Sequence, residues 1–222
     1  MNTGFKRIWL YERIKQIKNQ SPTSFNQIVI ERSFILRDSM EQFRTIPDLN
    51  LHNTLKVFYI HEEAQDAGGL IRDWFCVLIE ILFDQKLGLF RKAQTAELSY
   101  VFNEFSGELI ENDLEFCYFT GQIIGKALYE RCPIKAFLNK AIIKFLLGIK
   151  LNILDMESYD EQFYKSLIDI LHMNLNEENL DIFFSVTEYN PKKDIERSVD
   201  LINNGRNILV TEETKENFIE LL

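Results

Sequence analysis

The chain has 222 residues, 46% of them hydrophobic and 13% aromatic, with four prolines, nine glycines and no low-complexity run, which excludes a disordered or linker-rich protein. Its net charge of −9 opposes nucleic-acid binding, which needs a basic surface to displace phosphate counterions. Three cysteines without a C-x-x-C pair, three histidines outside any ligand spacing, a start with no secretory apolar core and no uncharged apolar run near ~18 residues predict an intracellular protein, cytoplasmic or nuclear, with no metal, cofactor or membrane span.

Residues 5–18 read as a helix, ended by the Gln20-Ser21-Pro22 break. Residues 1–20 carry +4 and the rest of the chain −13. A basic amphipathic helix also suits a membrane surface or a regulatory partner. Phe5, Ile8, Trp9, Leu10, Ile14 and Ile17 form no single stripe, however, which favours packing against its own domain. A strand at Gln27–Ile30, a helix at Ile35–Phe43 and a strand at Leu55–Ile60 follow. The polar loop from His61 to Gly69 opens onto an apolar helix, Leu70–Phe83; Gln65 stands where a zinc protease would need histidine. Gly68-Gly69 lacks the lysine and spacing of a phosphate loop and reads as a turn beside a helix start.

Asp113–Arg131 is apolar nearly all round, so it is predicted to be a central buried helix. Gly121 and Gly125 lie one turn apart on it. Each glycine costs a helix interior about 1 kcal/mol, which predicts a neighbouring backbone approaching there too closely for a methyl group. A helix at Phe137–Leu147 follows, and the polar stretch Asp155–Ser158 is the expected boundary between residues 1–157 and 158–222. At about 100° per residue, Tyr159, Phe163, Tyr164, Leu167, Ile168, Ile170 and Leu171 cover roughly half of a helix ending at His172. That exceeds the roughly 100° an ordinary half-buried helix needs, leaving either deep burial or a second apolar face for a partner. Asn203–Arg206 reads as a turn, Asn207–Val210 as a strand, and Thr211 as the cap of a final helix whose first turn carries Glu212 and Glu213. That helix reaches Leu222 with no stop signal, so it is read as cut in mid-helix.

No catalytic set emerges. Cys76 and Cys117 sit among aromatic and aliphatic neighbours and read as inert core thiols. Cys132, between Arg131 and Pro133, is the one in an electropositive, accessible place, and without a nearby histidine it too reads as structural.

The segment Asp66-Ala67-Gly68-Gly69-Leu70-Ile71-Arg72-Asp73-Trp74-Phe75 resembles the D-x-G-G-x-x-[KR]-[DE]-[FW]-[FW] signature of HECT-type ubiquitin ligases. Arg37-Asp38-Ser39, Gly88-Leu89-Phe90, Phe119 to Leu128, Asp155 to Leu167 and Asn204 to Thr211 match further family segments in family order. The resemblance implies an α+β fold, mainly helical with short β-strands: the N-lobe of a HECT domain, with a large helical subdomain and a small one that binds a ubiquitin-conjugating enzyme. In the family, a second lobe carries the cysteine that takes ubiquitin as a thioester and passes it to substrate lysine. Its Leu-Pro-x-[AS]-His-Thr-Cys-Phe motif is absent from these residues, so the chain alone is expected to be inactive, with ubiquitin and protein substrates engaged through regions outside it. Carried over by position, the conjugating-enzyme groove falls on Phe163, Leu167, Ile170, Met173, Leu180, Phe218 and Leu222. Leu222 stands where many members have an aromatic residue, and the Met173–Leu180 spacing is one residue short. Phe163 and Phe218 packing on each other is the plain structural alternative. Some members bind a second ubiquitin through an aromatic soon after the Gly-Leu-Phe turn; here Arg91 and Lys92 follow Phe90. A non-catalytic adaptor that keeps only this lobe is the rival reading.

Overall fold

The structure, a computed structural model, describes residues 3–20, 24–62, 67–177, 180–190 and 195–222. Among them, helices alternate with three two-stranded sheets, an α+β and mainly helical arrangement. Two compact units form: residues 1–91 with 102–136, and residues 92–101 with 137–222.

The first unit begins with α1 (Thr3–Gln20), longer than predicted. Of its apolar residues Ile14 is buried, while Phe5, Ile8, Trp9 and Ile17 are exposed. Strand β1 (Phe25–Ile30) pairs in parallel with β2 (Thr54–Tyr59), Ile28 opposite Val57. A parallel pair needs a crossover, and α2 (Ile35–Thr45) lies within it. Alternate residues Ile28, Ile30, Leu55, Val57 and Tyr59 are buried, as the two-residue period of a strand requires.

Helix α3 (Ala67–Leu82) includes Gly68 and Gly69 in its first turn, so they are not the turn predicted; Gln65 and Asp66 lie outside the described residues. The signature residues Trp74 and Phe75 are core: Trp74 stacks 5.8 Å from Phe43 and donates from its indole nitrogen to Ser39 Oγ at 2.9 Å. Asp73 pairs with Arg32 at 2.8 Å. Asp38 accepts from the Glu31 amide, which with Arg37 holds its carboxyl below the usual range. These motif residues position structure. The chain leaves the first unit within β3 (Phe90–Lys92) and returns within β4 (Tyr100–Phe102), short strands that periodicity did not suggest. Phe90 is buried, stacked between Phe83 and Phe102.

After a single turn, α4 (Ser106–Leu109), comes α5 (Asp113–Tyr129). It is not buried all round. Phe119, Ile123 and Ala127 face the core, while Leu114, Tyr118 and Leu128 are exposed. Among the described residues the close approach expected at Gly121 and Gly125 does not occur, since a Cβ at either would meet nothing of a neighbouring element within 4 Å. Near the end of α5, Lys126 is buried and donates to the Leu51 carbonyl (3.0 Å) and to Glu130 (2.7 Å). Glu130 also accepts from the Leu55 amide and from Lys18. Burial alone would raise the Glu130 carboxyl, but Lys126 and Lys18 hold it low; burial pushes the Lys126 ammonium down.

In the second unit, residues 137–139 are extended instead of helical: the Tyr100 amide donates to Phe137 and the Asn139 amide to Tyr100. Helix α6 (Lys140–Leu146) starts only there, capped by the buried Asn139 side chain. The stretch expected as a boundary is α7 (Ile153–Tyr159), closed at its start by a reciprocal Asn152–Asp155 capping box, with Asp155 also held by Lys144. The two compact units divide at 91/92, 101/102 and 136/137. Helix α8 (Glu161–His172) follows, then an antiparallel hairpin of β5 (Ser185–Asn190) and β6 (Ile195–Asp200). The predicted strand at Asn207–Val210 is a 3₁₀ turn, Gly205–Asn207, followed by a single bridge between Leu209 and Phe183. The last helix, α9 (Lys215–Leu221), starts after Thr214, not Thr211, and the Thr214 side chain makes no capping bond to it. Thr211 is drawn into the turn instead, its amide donating to Thr214 Oγ1 at 2.9 Å.

Candidate functional site

The seven predicted groove residues all lie in the second unit. Asp160 starts α8 by accepting from the Phe163 amide at 2.9 Å, the usual way an N-cap satisfies an orphan helix donor. Along one stripe of α8, Leu167 is 2% exposed, with Phe163 and Ile170 half-buried on either side; Met173 ends the helix in extended conformation. The opposite half of the apolar arc, Tyr164, Ile168 and Leu171, is also half-buried.

Helix α9 packs against α8. Phe218 is 5% exposed and sits edge-on to Phe184, ring centroids 5.7 Å apart, in a cluster with Val210. Leu222 is half-buried against the same cluster, together with Leu175, Ile182 and Ile219. Phe218 therefore spends its ring on Phe184 and not on Phe163. Leu180 lies 48% exposed. Leu167 and Phe218 thus belong to the interior, whereas Phe163, Ile170, Met173, Leu180 and Leu222 offer apolar surface.

Two residues that periodicity did not single out join these helices. Lys215, itself buried, donates to the Met173 carbonyl at 2.9 Å and pairs with Glu212 at 2.5 Å. The other Glu212 oxygen accepts from the Leu175 amide at 3.0 Å. Lys215 first, and then that amide, hold the Glu212 carboxyl below its ordinary value. The sequence reading had used Glu212 as a first-turn acid, and the signal it missed was an acid and a lysine three residues apart at a helix start. Gly205 completes the support, since a Cβ there would stand 2.1 Å from the Phe184 carbonyl oxygen. Arg206 grips Asp200 through both carboxylate oxygens, at 3.0 and 3.1 Å.

The cysteines exchange places relative to expectation: Cys76 is exposed and Cys132 buried, with Cys117 intermediate. The reason is helical phase, which sets Cys76 on the outer side of α3 while Trp74, Phe75 and Leu78 point inward. Burial raises the Cys117 and Cys132 thiols, the direction that makes a thiol less reactive. Among the described residues no three His, Cys, Asp or Glu side chains are grouped to hold a metal, and no helix is long and apolar enough to cross a membrane.

A family model described as HECT-domain (ubiquitin-transferase) matches residues 76–222. The E3 ubiquitin-protein ligase TOM1-like of Neurospora crassa is 33% identical over 96% of this chain, and the E3 ubiquitin-protein ligase pub3 of Schizosaccharomyces pombe 32% identical over 98%. The E3 ubiquitin-protein ligase HUWE1 of Mus musculus is 28% identical over 98%. The chain spans only 5% of the Neurospora and mouse proteins and 27% of pub3. With the family match covering about two thirds of its length, through α8, the hairpin and α9, the chain belongs to the HECT-domain ubiquitin-transferase family.

Proposed function

We propose that this chain docks a ubiquitin-conjugating enzyme, presenting it for transfer of ubiquitin to a cysteine that lies outside residues 1–222 and then to a substrate lysine. In this reading residues 158–222 are the docking subdomain, residues 1–157 the large subdomain, and ubiquitin and protein substrates are engaged by parts of the protein outside this chain. The observation that carries the proposal is the apolar surface that Phe163, Ile170 and Leu180 leave accessible in the unit that buries Leu167 and Phe218, in a chain of a ubiquitin-transferase family. A partner's apolar side chain gains most where the receiving residues are held rigid beforehand, and the Lys215–Met173 bond supplies that rigidity.

The test is binding of the 222-residue chain to a panel of ubiquitin-conjugating enzymes, by calorimetry, with Phe163→Ala and Leu180→Ala. Interface anchors commonly cost 1–2 kcal/mol or more on truncation, so each variant is expected to weaken binding about tenfold with helicity unchanged. Unchanged affinity in both removes the groove assignment. Incubation with a ubiquitin-charged enzyme is expected to leave no reducible ubiquitin adduct on the chain. An adduct on Cys76, Cys117 or Cys132 would place the acceptor thiol inside it.

A further inference from the structure

Charge is distributed unevenly along the chain. Residues 158–222 hold 14 Asp and Glu against six Lys and Arg, so they carry −8 of the total of −9 and residues 1–157 are close to neutral. The described cations of this stretch are already engaged: Lys165 pairs with Glu161, Arg197 with Glu188, Arg206 with Asp200 and Lys215 with Glu212. Asp169, Asp181, Glu213, Glu216 and Glu220 are exposed and enter no ion pair among the described residues.

These acids lie in the elements that carry the apolar surface. Gln162, Ser166 and Asp169 form the exposed flank of the Phe163–Ile170 stripe of α8, with Asp169 about 100° round the helix from Ile170. Asp181 follows Leu180 directly. Glu216 and Glu220, one turn apart, stand on the side of α9 away from the buried Phe218, and α9 packs against α8. Helix α8 has 12 residues and is therefore about 18 Å long. The screening length is about 30 Å at 0.01 M salt and about 10 Å at 0.1 M, so at low salt these carboxylates act on an approaching partner together.

We propose, building on the docking role above, that this surface selects conjugating enzymes whose docking face is basic, with lysine or arginine side chains flanking the apolar group that meets Phe163, Ile170 and Leu180. Unpaired like charges repel one another in the free chain, and a cationic face relieves that repulsion whereas an acidic one adds to it. The two kinds of residue then divide the work. Apolar contact sets how long the complex lasts, while the acids set how fast it forms and with which enzyme, because long-range attraction steers encounter and like charge turns away the wrong partner.

Stopped-flow association of the full chain with a panel of ubiquitin-conjugating enzymes, chosen so that their surfaces range from acidic to basic, reads both rates. The basic members are expected to associate fastest. Raising NaCl from about 20 mM to about 500 mM should slow them about tenfold or more while the dissociation rate changes less than about threefold. Asp169→Asn with Asp181→Asn, and separately Glu216→Gln with Glu220→Gln, should each slow association about threefold and flatten its salt dependence. Phe163→Ala should instead speed dissociation. Equal association rates for acidic and basic members overturn the charge proposal and leave the docking role standing. So does association unmoved by salt and by both neutralised pairs while Phe163→Ala still weakens the complex. Binding to no member of the panel overturns the docking role and this inference with it.

Discussion

Lys215 Nζ lies 2.9 Å from the main-chain oxygen of Met173, so one ammonium in the first turn of α9 holds the residue that ends α8. A carbonyl left bare at a helix end needs a donor, and a cation suits the negative end of the helix dipole. The side chain is 11% exposed, so its loss would leave the Met173 carbonyl and the Glu212 carboxylate without their shared partner. Lys215→Ala is expected to lower the stability of the second unit by about 2 kcal/mol, read from urea denaturation followed by circular dichroism. No change would show that solvent replaces the ammonium without cost.

The two buried groove residues should behave unlike the exposed ones. Leu167→Ala and Phe218→Ala remove interior volume at 2% and 5% exposure and are expected to cost about 2–5 kcal/mol each. Phe163→Ala, at a half-buried position, should cost less than half as much. Thermal unfolding of the three variants side by side checks this, and a Phe163→Ala loss equal to that of Phe218→Ala would make Phe163 part of the interior.

Two glycines should respond to alanine with opposite signs. At Gly205 the new methyl would collide with the Phe184 carbonyl oxygen and displace the residue that packs on Phe218, an overpacking cost of about 1–3 kcal/mol. At Gly121 it would meet no other described element within 4 Å of its helix position, and the gain should be about 0.5–1 kcal/mol. Unfolding midpoints measured at low micromolar protein give both signs.

The buried pair in the first unit predicts an asymmetry. Glu130→Ala would strand Lys126, whose side chain is 1% exposed, and removing one partner of a buried pair typically costs about 3–5 kcal/mol. Lys126→Met keeps the stem and removes the charge that needs a partner, so it should cost less. Equal losses in denaturant titrations would mean that the Leu51 carbonyl contact outweighs the ion pair.

Acid should act partly through Asp155. Its carboxyl is held below the ordinary aspartate value by Lys144 and by the Asn152 amide at the start of α7. A group with a depressed folded pKa contributes stability above its unfolded value of about 4 and loses it as pH falls through the lower folded value. Asp155→Asn should therefore reduce stability at neutral pH and flatten its decline below about pH 4. A variant whose acid limb matches the parent's would remove Asp155 from that transition.

Much of the helical framework was legible because long elements carry enough residues between breaks to read as helix: α1, α2, α3, α5 and α8 lie within a few residues of where they are predicted. Short elements escaped. Strands β3 and β4 have three residues each, too few to show alternation, and the extended segment before α6 is made by pairing with Tyr100, about forty residues earlier. Helix α7 was not legible because its polar residues Asp155 and Ser158 have partners distant in sequence or in main-chain atoms: Lys144 and the Asn152 amide for Asp155, and Asn139 for Ser158. At the candidate site, the apolar set around α8 and α9 could be named from motif positions, but Lys215 and Glu212 could not, because their partners are main-chain atoms of another helix.

Motif order and composition by themselves determined that this is a mainly helical α+β chain of the ubiquitin-transferase type, since six collinear segments and a full apolar complement are local properties of a string of residues. Periodicity also determined which residues share a face. Only the tertiary structure decided which faces are covered. It buried Phe218 and exposed Leu180, turned Cys76 outward and Cys132 inward, and left Gly121 and Gly125 open on a helix that looked apolar all round. The physical reason is that helical phase is set by neighbours three and four residues away, whereas burial is set by whatever other element the chain brings against that face.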